Sequence, residues 1–237
     1  MPETRYKGRM DPDFLLSRLL YRDALMLVID KPAGIPVHKG TGGGENLEQY
    51  FEALRFGLPR LPALAHRLDR DTSGCLVLGR HRQALAKLGK LFENGRIQKT
   101  YWAVVQGQPA EPQGRIDKPL AKRSADTARW HMKVEEGGQP ATTDYRVLAS
   151  NGQLSWLELK PLTGRTHQLR VHCAAIGHPI LGDRIYGQAA PGEKLQLHAR
   201  AIEVPLYNNK PPVQAVAPAP PHMQDYIKEW HAPEVAN

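Results

Sequence analysis

The chain has 237 residues, with 32 Lys and Arg against 24 Asp and Glu, a formal net charge of +8, and only two cysteines. That length suits one large domain or two small ones with a substantial core, and two cysteines exclude a disulfide framework. Residues 1–14 are polar and charged, without the apolar centre of a signal peptide, and no apolar run approaches membrane length. These features predict a cytoplasmic, reduced protein with no membrane segment and no disulfide, in which Cys75 and Cys173 act as small buried hydrophobes. The positive surplus fits a polyanionic partner through phosphate contacts and long-range steering. It is densest between Arg115 and Lys133, where Arg115, Lys118, Lys122, Arg123, Arg129 and Lys133 outnumber Asp117 and Asp126.

Taken in order, residues 25–30 (Leu-Met-Leu-Val-Ile-Asp) predict a buried strand stopped by Pro32 and Gly34. Gly40 to Gly44 is glycine-rich but lacks the Gly-Lys-Ser/Thr of a phosphate cradle, and reads as loop. Cys75 to Gly79 is a second apolar strand. Ala84, Leu85, Leu88, Leu91 and Phe92 recur at helical spacing over 82–93, closed by Asn94-Gly95. The aromatic and β-branched run 97–106 predicts a strand ending at Gly107. A stretch rich in Pro, Gly and charge extends to about residue 140, broken only around Trp130 and Met132.

Two strands follow, 143–149 and 154–160, joined by an Asn151-Gly152 turn, a good hairpin signal. Thr166 is a suitable cap for a helix running to Ile176 and ended by Gly177. Leu195–Val204 predicts a last strand, residues 205–221 with six prolines an irregular segment, and 223–230 a short helix. Many strands, few helices and hairpins in place of strict β-α-β alternation predict an α+β domain on a mainly antiparallel sheet.

The run His66-Arg67-Leu68-Asp69-Arg70-Asp71-Thr72-Ser73-Gly74 leads straight into the strand at Cys75, which puts Asp69 in a loop held by a Thr-Ser-Gly turn. An Asp between two Arg residues is by itself most often a surface ion pair. The whole run, however, resembles the signature H-R-L-D-x-x-T-S-G of the RluA-type pseudouridine synthases at every specified position. Lys99-Thr100-Tyr101-Trp102-Ala103-Val104-Val105-Gln106-Gly107 resembles that family's K-x-Y-x-A-x-V-x-G. Gly164-Arg165-Thr166-His167-Gln168-Leu169-Arg170-Val171-His172 resembles its G-R-x-H-Q-x-R-x-H. Weaker echoes are Asp30-Lys31-Pro32-Ala33-Gly34, Gly182-Asp183-Arg184-Ile185-Tyr186-Gly187 and Ala217-Pro218-Ala219-Pro220.

The resemblance implies the pseudouridine-synthase fold with a catalytic cleft across the sheet. It implies a catalytic domain over 25–221, after an N-terminal extension (1–24) too short for an added RNA-binding domain and before a tail with a short helix (222–237). It implies an enzyme that detaches uracil from ribose, turns it and rejoins it through carbon 5, with the base extruded from the RNA. Asp69 would be the catalytic carboxylate, leaving open whether it attacks the base, attacks the sugar or removes a sugar proton. Burial raises a carboxylate's pKa and a fixed positive charge lowers it, and Arg170 would be that charge. Tyr101 would stack on the base and handle the proton at carbon 5. Leu169 would floor the pocket, and Arg67 would either fill the gap left by the base or contact phosphate.

His66, Arg165, Lys122 and Arg123 complete the candidate RNA contacts. The partner expected is structured RNA, large-subunit ribosomal or transfer RNA, bound by a monomer that needs no cofactor. His167, His172 and His178 with Cys173 superficially suggest a metal site, but a separation of five puts 167 and 172 on different helix faces, and hydrogen-bonded structural histidines fit better. A non-catalytic RNA-binding module would show an altered Asp69, Tyr101 or Arg170, and all three are present. A carboxylate-metal nuclease needs several convergent acids, which the motifs do not offer.

Overall fold

The computed structural model describes residues 12–39, 43–123 and 131–230. Helix α1 (Pro12–Leu16) is followed by strands β1 (Leu19–Arg22) and β2 (Met26–Lys31), a 3₁₀ helix (Leu47–Leu54), and strands β3 (Ala63–Leu64) and β4 (Ser73–Gly79). Helix α2 (Arg82–Glu93) leads into β5 (Gln98–Gln106), β6 (Gln113–Asp117), β7 (Leu120–Lys122), β8 (Met132–Val134), β9 (Thr142–Ser150) and β10 (Leu154–Pro161). Helix α3 (Gln168–Ala175), β11 (Leu197–Val204), β12 (Val213–Val216) and α4 (Pro221–Glu229) complete the chain. This is an α+β fold built mainly on antiparallel pairings, as the sequence pattern predicts.

The chain forms two compact units: Met1–Ile97 with Glu203–Ala217, and Gln98–Ile202 with Pro218–Asn237. In the first, β2 pairs antiparallel with β1 on one side and β4 on the other, and β3 adds to β4. Both β2 and β4 are buried along their whole length, which explains their continuous apolar wording where a half-exposed strand would alternate. Helix α2 lies hard against the end of β4. A Cβ at Gly79 would sit 2.9 Å from the Cα of Leu85, so only glycine fits there.

In the second unit the strand order is β11-β5-β10-β9-β6, and the β10 pairings with β5 and β9 and the β9 pairing with β6 are antiparallel. One face buries Ala103, Val105, Leu157, Leu159, Leu169, Cys173, Ile180, Leu195 and Leu197, with Tyr101 packed against them. A second cluster joins Trp102, Trp156 and Met223, with Ile227 and Trp230 of the C-terminal segment beside it. The Trp102 and Trp156 rings meet edge to face at 4.7 Å. The hairpin β7–β8 stands apart as its own two-stranded ribbon.

Several expectations change. The 1–24 extension contains β1, which pairs with β2, and the tail contributes Met223 to the second unit's core. The Pro/Gly-rich stretch before residue 140 holds three short strands, and the proline-rich segment holds β12. These strands have few residues and mixed polarity, so no period-2 run is long enough to reveal them. Ser73 and Gly74 belong to β4, not to a turn. Helix α3 begins at Gln168 with His167 as its cap, so Thr166 does not cap it. Residues 40–42 of the glycine-rich run, and Asp126, Arg129 and Trp130, lie outside the described residues.

Candidate active site

In the first unit, Asp69 sits at the start of a tight turn, where the Thr72 amide donates to the Asp69 carbonyl at 3.2 Å. The turn is held from beneath by Lys31, whose side chain is fully buried. Its Nζ donates to the carbonyls of Pro32 (2.8 Å), Arg70 (2.9 Å) and Thr72 (2.9 Å). Three donors meet three acceptors, which is the full capacity of an ammonium group. Burial pulls the Lys31 pKa down to about 7, against the charges of Asp71, Asp69 and Asp30, which raise it. A second tie runs through Gly34, whose amide donates to the Arg70 carbonyl (2.9 Å) and whose carbonyl accepts from Arg70 Nε (3.0 Å). Leu68 is buried, and Asp69 is half-buried between it and the exposed Arg70.

His66 anchors the start of the same segment. Its Nε2 accepts from the Val77 amide at 3.0 Å, and its ring stacks on Phe92 at 4.4 Å. That engagement makes His66 a brace between the loop, β4 and α2. Arg67 beside it is exposed.

In the second unit, Tyr101 on β5 and Leu169 on α3 belong to one apolar cluster, so two of the sequence candidates come together. Arg170 follows Leu169 and is buried. Its guanidinium forks onto Asp183, with Nε to Oδ2 at 2.8 Å and Nη2 to Oδ1 at 2.7 Å. Asp183 is itself fully buried, and its Oδ1 also accepts from the amides of Ile185 (2.9 Å) and Tyr186 (3.1 Å). Burial would raise this carboxyl, but the Arg170 fork and the two amides carry it below the usual range.

The turn into α3 is equally constrained. His167 adopts the left-handed region at φ 54°, which costs a non-glycine residue energy and persists only when its surroundings impose it. Its Nδ1 shares a 2.7 Å hydrogen bond with the Tyr186 hydroxyl. Gln168 is buried and fully used: Oε1 accepts from the Thr163 hydroxyl (2.7 Å) and the Arg165 amide (3.0 Å), while Nε2 donates to the Thr142 carbonyl and the Thr143 hydroxyl at 3.0 Å each. Lys99 donates to the Thr163 carbonyl at 3.3 Å.

His172 spans Thr143 Oγ1 (2.9 Å) and the Lys118 carbonyl (3.0 Å). The Lys118 carbonyl can only accept, so Nε2 of His172 carries a proton. Burial lowers the His172 pKa. His178 bonds the Gln106 carbonyl at 2.9 Å. Among the described residues no group of three or more His, Cys, Asp or Glu is placed to hold a metal ion.

Of the remaining candidates, Arg165 is exposed and donates through Nε to the Pro140 carbonyl at 3.0 Å. Lys122 and Arg123 are exposed at the end of β7. Sequence reasoning did not reach Lys31, Asp183 or Tyr186 as holders of the motif residues. The signal lay in the two weaker echoes, Asp30-Lys31-Pro32 and Gly182 to Gly187.

The family model described as RNA pseudouridylate synthase matches residues 25–175. An uncharacterised RNA pseudouridine synthase of Zymomonas mobilis is 42% identical over 214 residues, covering 89% of this chain and 97% of its own length. The ribosomal large subunit pseudouridine synthase C of Haemophilus ducreyi is 34% identical, over 92% of this chain and 70% of its own. Among solved structures, human RNA pseudouridylate synthase domain containing 4 superposes with a TM-score of 0.78 at 27% identity, covering 95% of this chain and 97% of that one. The chain therefore belongs to the RNA pseudouridylate synthases, enzymes that isomerise uridine in RNA to pseudouridine. Among the described residues no helix is long and apolar enough to cross a membrane.

Proposed function

We propose that this enzyme converts a uridine in a structured stem-loop of large-subunit ribosomal RNA to pseudouridine, with Asp69 as the catalytic carboxylate. The bond from uracil N1 to ribose C1′ breaks, the base turns, and a bond forms from C5 to C1′. The proton leaves C5, and N1 gains one. There is no net redox change, so the reaction needs no cofactor. Asp69 is the ionised group beside sugar and base, and Arg170 is the fixed charge that favours its ionised form. Tyr101 stacks on the base and handles the C5 proton, with Leu169 beneath it. Arg67, Arg165, Lys122 and Arg123 contact the RNA backbone, and His66 acts as the brace that sets Arg67.

The observation that carries this reading is the fixing of the main chain just after Asp69 by the Lys31 bonds to the Arg70 and Thr72 carbonyls. A carboxylate on a short, immobilised turn is preorganised for chemistry. The ribosomal large subunit in the name of the Haemophilus relative supports ribosomal RNA, with transfer RNA the alternative substrate. A cytoplasmic monomer suffices for the reaction. The test is Asp69→Asn in a tritium-release assay on RNA carrying [5-³H]uridine. Expected is unaltered RNA affinity with at least about a thousandfold loss in rate, on the order of 4 kcal/mol. Near-native turnover by the Asn variant overturns the assignment.

A further inference from the structure

Tyr186 is the point where three separate parts of the second unit meet. Its backbone amide shares Asp183 Oδ1 with the Arg170 guanidinium. The face of its ring receives that same guanidinium at 5.2 Å, within cation–π range. Its hydroxyl accepts from the Met132 amide of β8 at 2.8 Å and bonds His167, the left-handed cap of α3, at 2.7 Å. Its ring also packs beside Leu120, Met132, Ala141 and Val171, the apolar contact between the β7–β8 ribbon and α3. Gly182, just before Asp183, has φ 76°, and a Cβ there would fall 2.1 Å from the Lys194 carbonyl, so the chain entering Asp183 runs hard against Lys194.

The consequence is mechanical. Asp183 holds the guanidinium along one edge through the two-bond fork. The Tyr186 ring closes the face, and the hydroxyl locks that ring to β8 and to the start of α3. Arg170 and the end of the β7–β8 ribbon where Met132 pairs with Lys122 thus share one side chain. Resting on the reading that Arg170 acts in the reaction, we propose that Tyr186 is a positioning residue for Arg170. Its hydroxyl makes the setting of that arginine depend on the hairpin β7–β8.

Tyr186→Phe tests this with little disturbance, because the ring stays and only the hydroxyl goes. The measurements are single-turnover tritium release and filter binding, both on [5-³H]uridine-labelled ribosomal and transfer RNA from cells lacking the gene. Expected is a rate about tenfold lower with an RNA Kd within about twofold of native, and faster hydrogen exchange at the Met132 amide. Combined with Arg170→Lys, which keeps a charge beside Asp183, Tyr186→Phe should cost almost nothing further, because the fork it positions is already gone. A merely structural tyrosine predicts additive losses. A native single-turnover rate in Tyr186→Phe, additive losses in the double variant, or unchanged exchange at Met132 overturns the proposal. If Arg170→Lys itself turns over at the native rate, the reading of Arg170 falls and this proposal with it. If Arg170→Lys is slow while Tyr186→Phe is native, the proposal alone falls.

Discussion

The segment that presents Asp69 and the segment that presents Arg170 are immobilised by different means. In the first, the main chain is held: Lys31 donates to the Arg70 and Thr72 carbonyls of the turn and, with its third proton, to Pro32. In the second, the side chain itself is held, by a buried carboxylate fork and an aromatic face. Clamping the backbone leaves a side chain's outer atoms to be set by what it meets. Clamping the side chain commits the group to one position. If Asp69 and Arg170 act as proposed, the reacting group has the first arrangement and its fixed electrostatic partner the second.

The contrast is sharpest at Arg170. Arg170→Met leaves Asp183 buried without its partner, so the variant should lose about 3–5 kcal/mol of stability as well as about a hundredfold in rate. Adding Asp183→Asn removes the stranded charge and should return much of the stability in thermal melts while activity stays low. Recovery of activity together with stability would mean that Arg170 serves the fold alone.

Lys31→Met is the matching change on the other side. Methionine keeps the length of the stem but takes the Lys31 donor from the Pro32 and Thr72 carbonyls and leaves Arg70 only the Gly34 amide, a loss of about 2 kcal/mol with a parallel fall in rate. Native melting behaviour in Lys31→Met would show that the turn is held by other contacts.

A smaller effect comes from His172. Its folded pKa lies below the ordinary 6.5 because of burial. The stability it contributes is therefore present above about pH 6.5 and lost as the pH falls through the lowered value, since the unfolded chain takes up the proton first. Urea melts between pH 7 and about 5 should show this slope, and His172→Gln should flatten it. The smallest effect is at the hairpin. Neutralising Lys122 and Arg123 together should weaken RNA binding at low salt and reduce the salt dependence by a slope of about 0.7 to 0.9 per lost contact. Turnover of bound RNA should barely change. An unaltered slope would take these two residues off the RNA path.

How far the sequence reaches follows from the same physics. Strands β2, β4, β5 and β11 and helix α2 were legible because each is long and evenly patterned, and the β9–β10 hairpin because Asn151-Gly152 marks its turn. Strands β1, β6, β7, β8 and β12 were not, being three to five residues long. The cap of α3 escaped because His167, in a backbone region that favours glycine, looks from sequence like an ordinary helical residue, with Thr166 the more conventional cap. In the site, the motif residues announce themselves through their wording, whereas their holders do not. Lys31 is 41 residues from Thr72 and Asp183 is 13 from Arg170, and no local pattern encodes such pairings. The strand read from the sequence stops at Asp30, one residue short of Lys31, so the buried ammonium and its need for acceptors came to light only with the fold.

The most direct measurement of the central claim is a pseudouridine map of ribosomal and transfer RNA from cells with the gene, without it, and complemented by wild-type or Asp69→Asn copies. The account predicts that at least one ribosomal or transfer RNA position loses its modification without the gene, regains it with the wild-type copy, and stays unmodified with Asp69→Asn. Restoration by the Asn copy, or no position lost in either RNA, would contradict it.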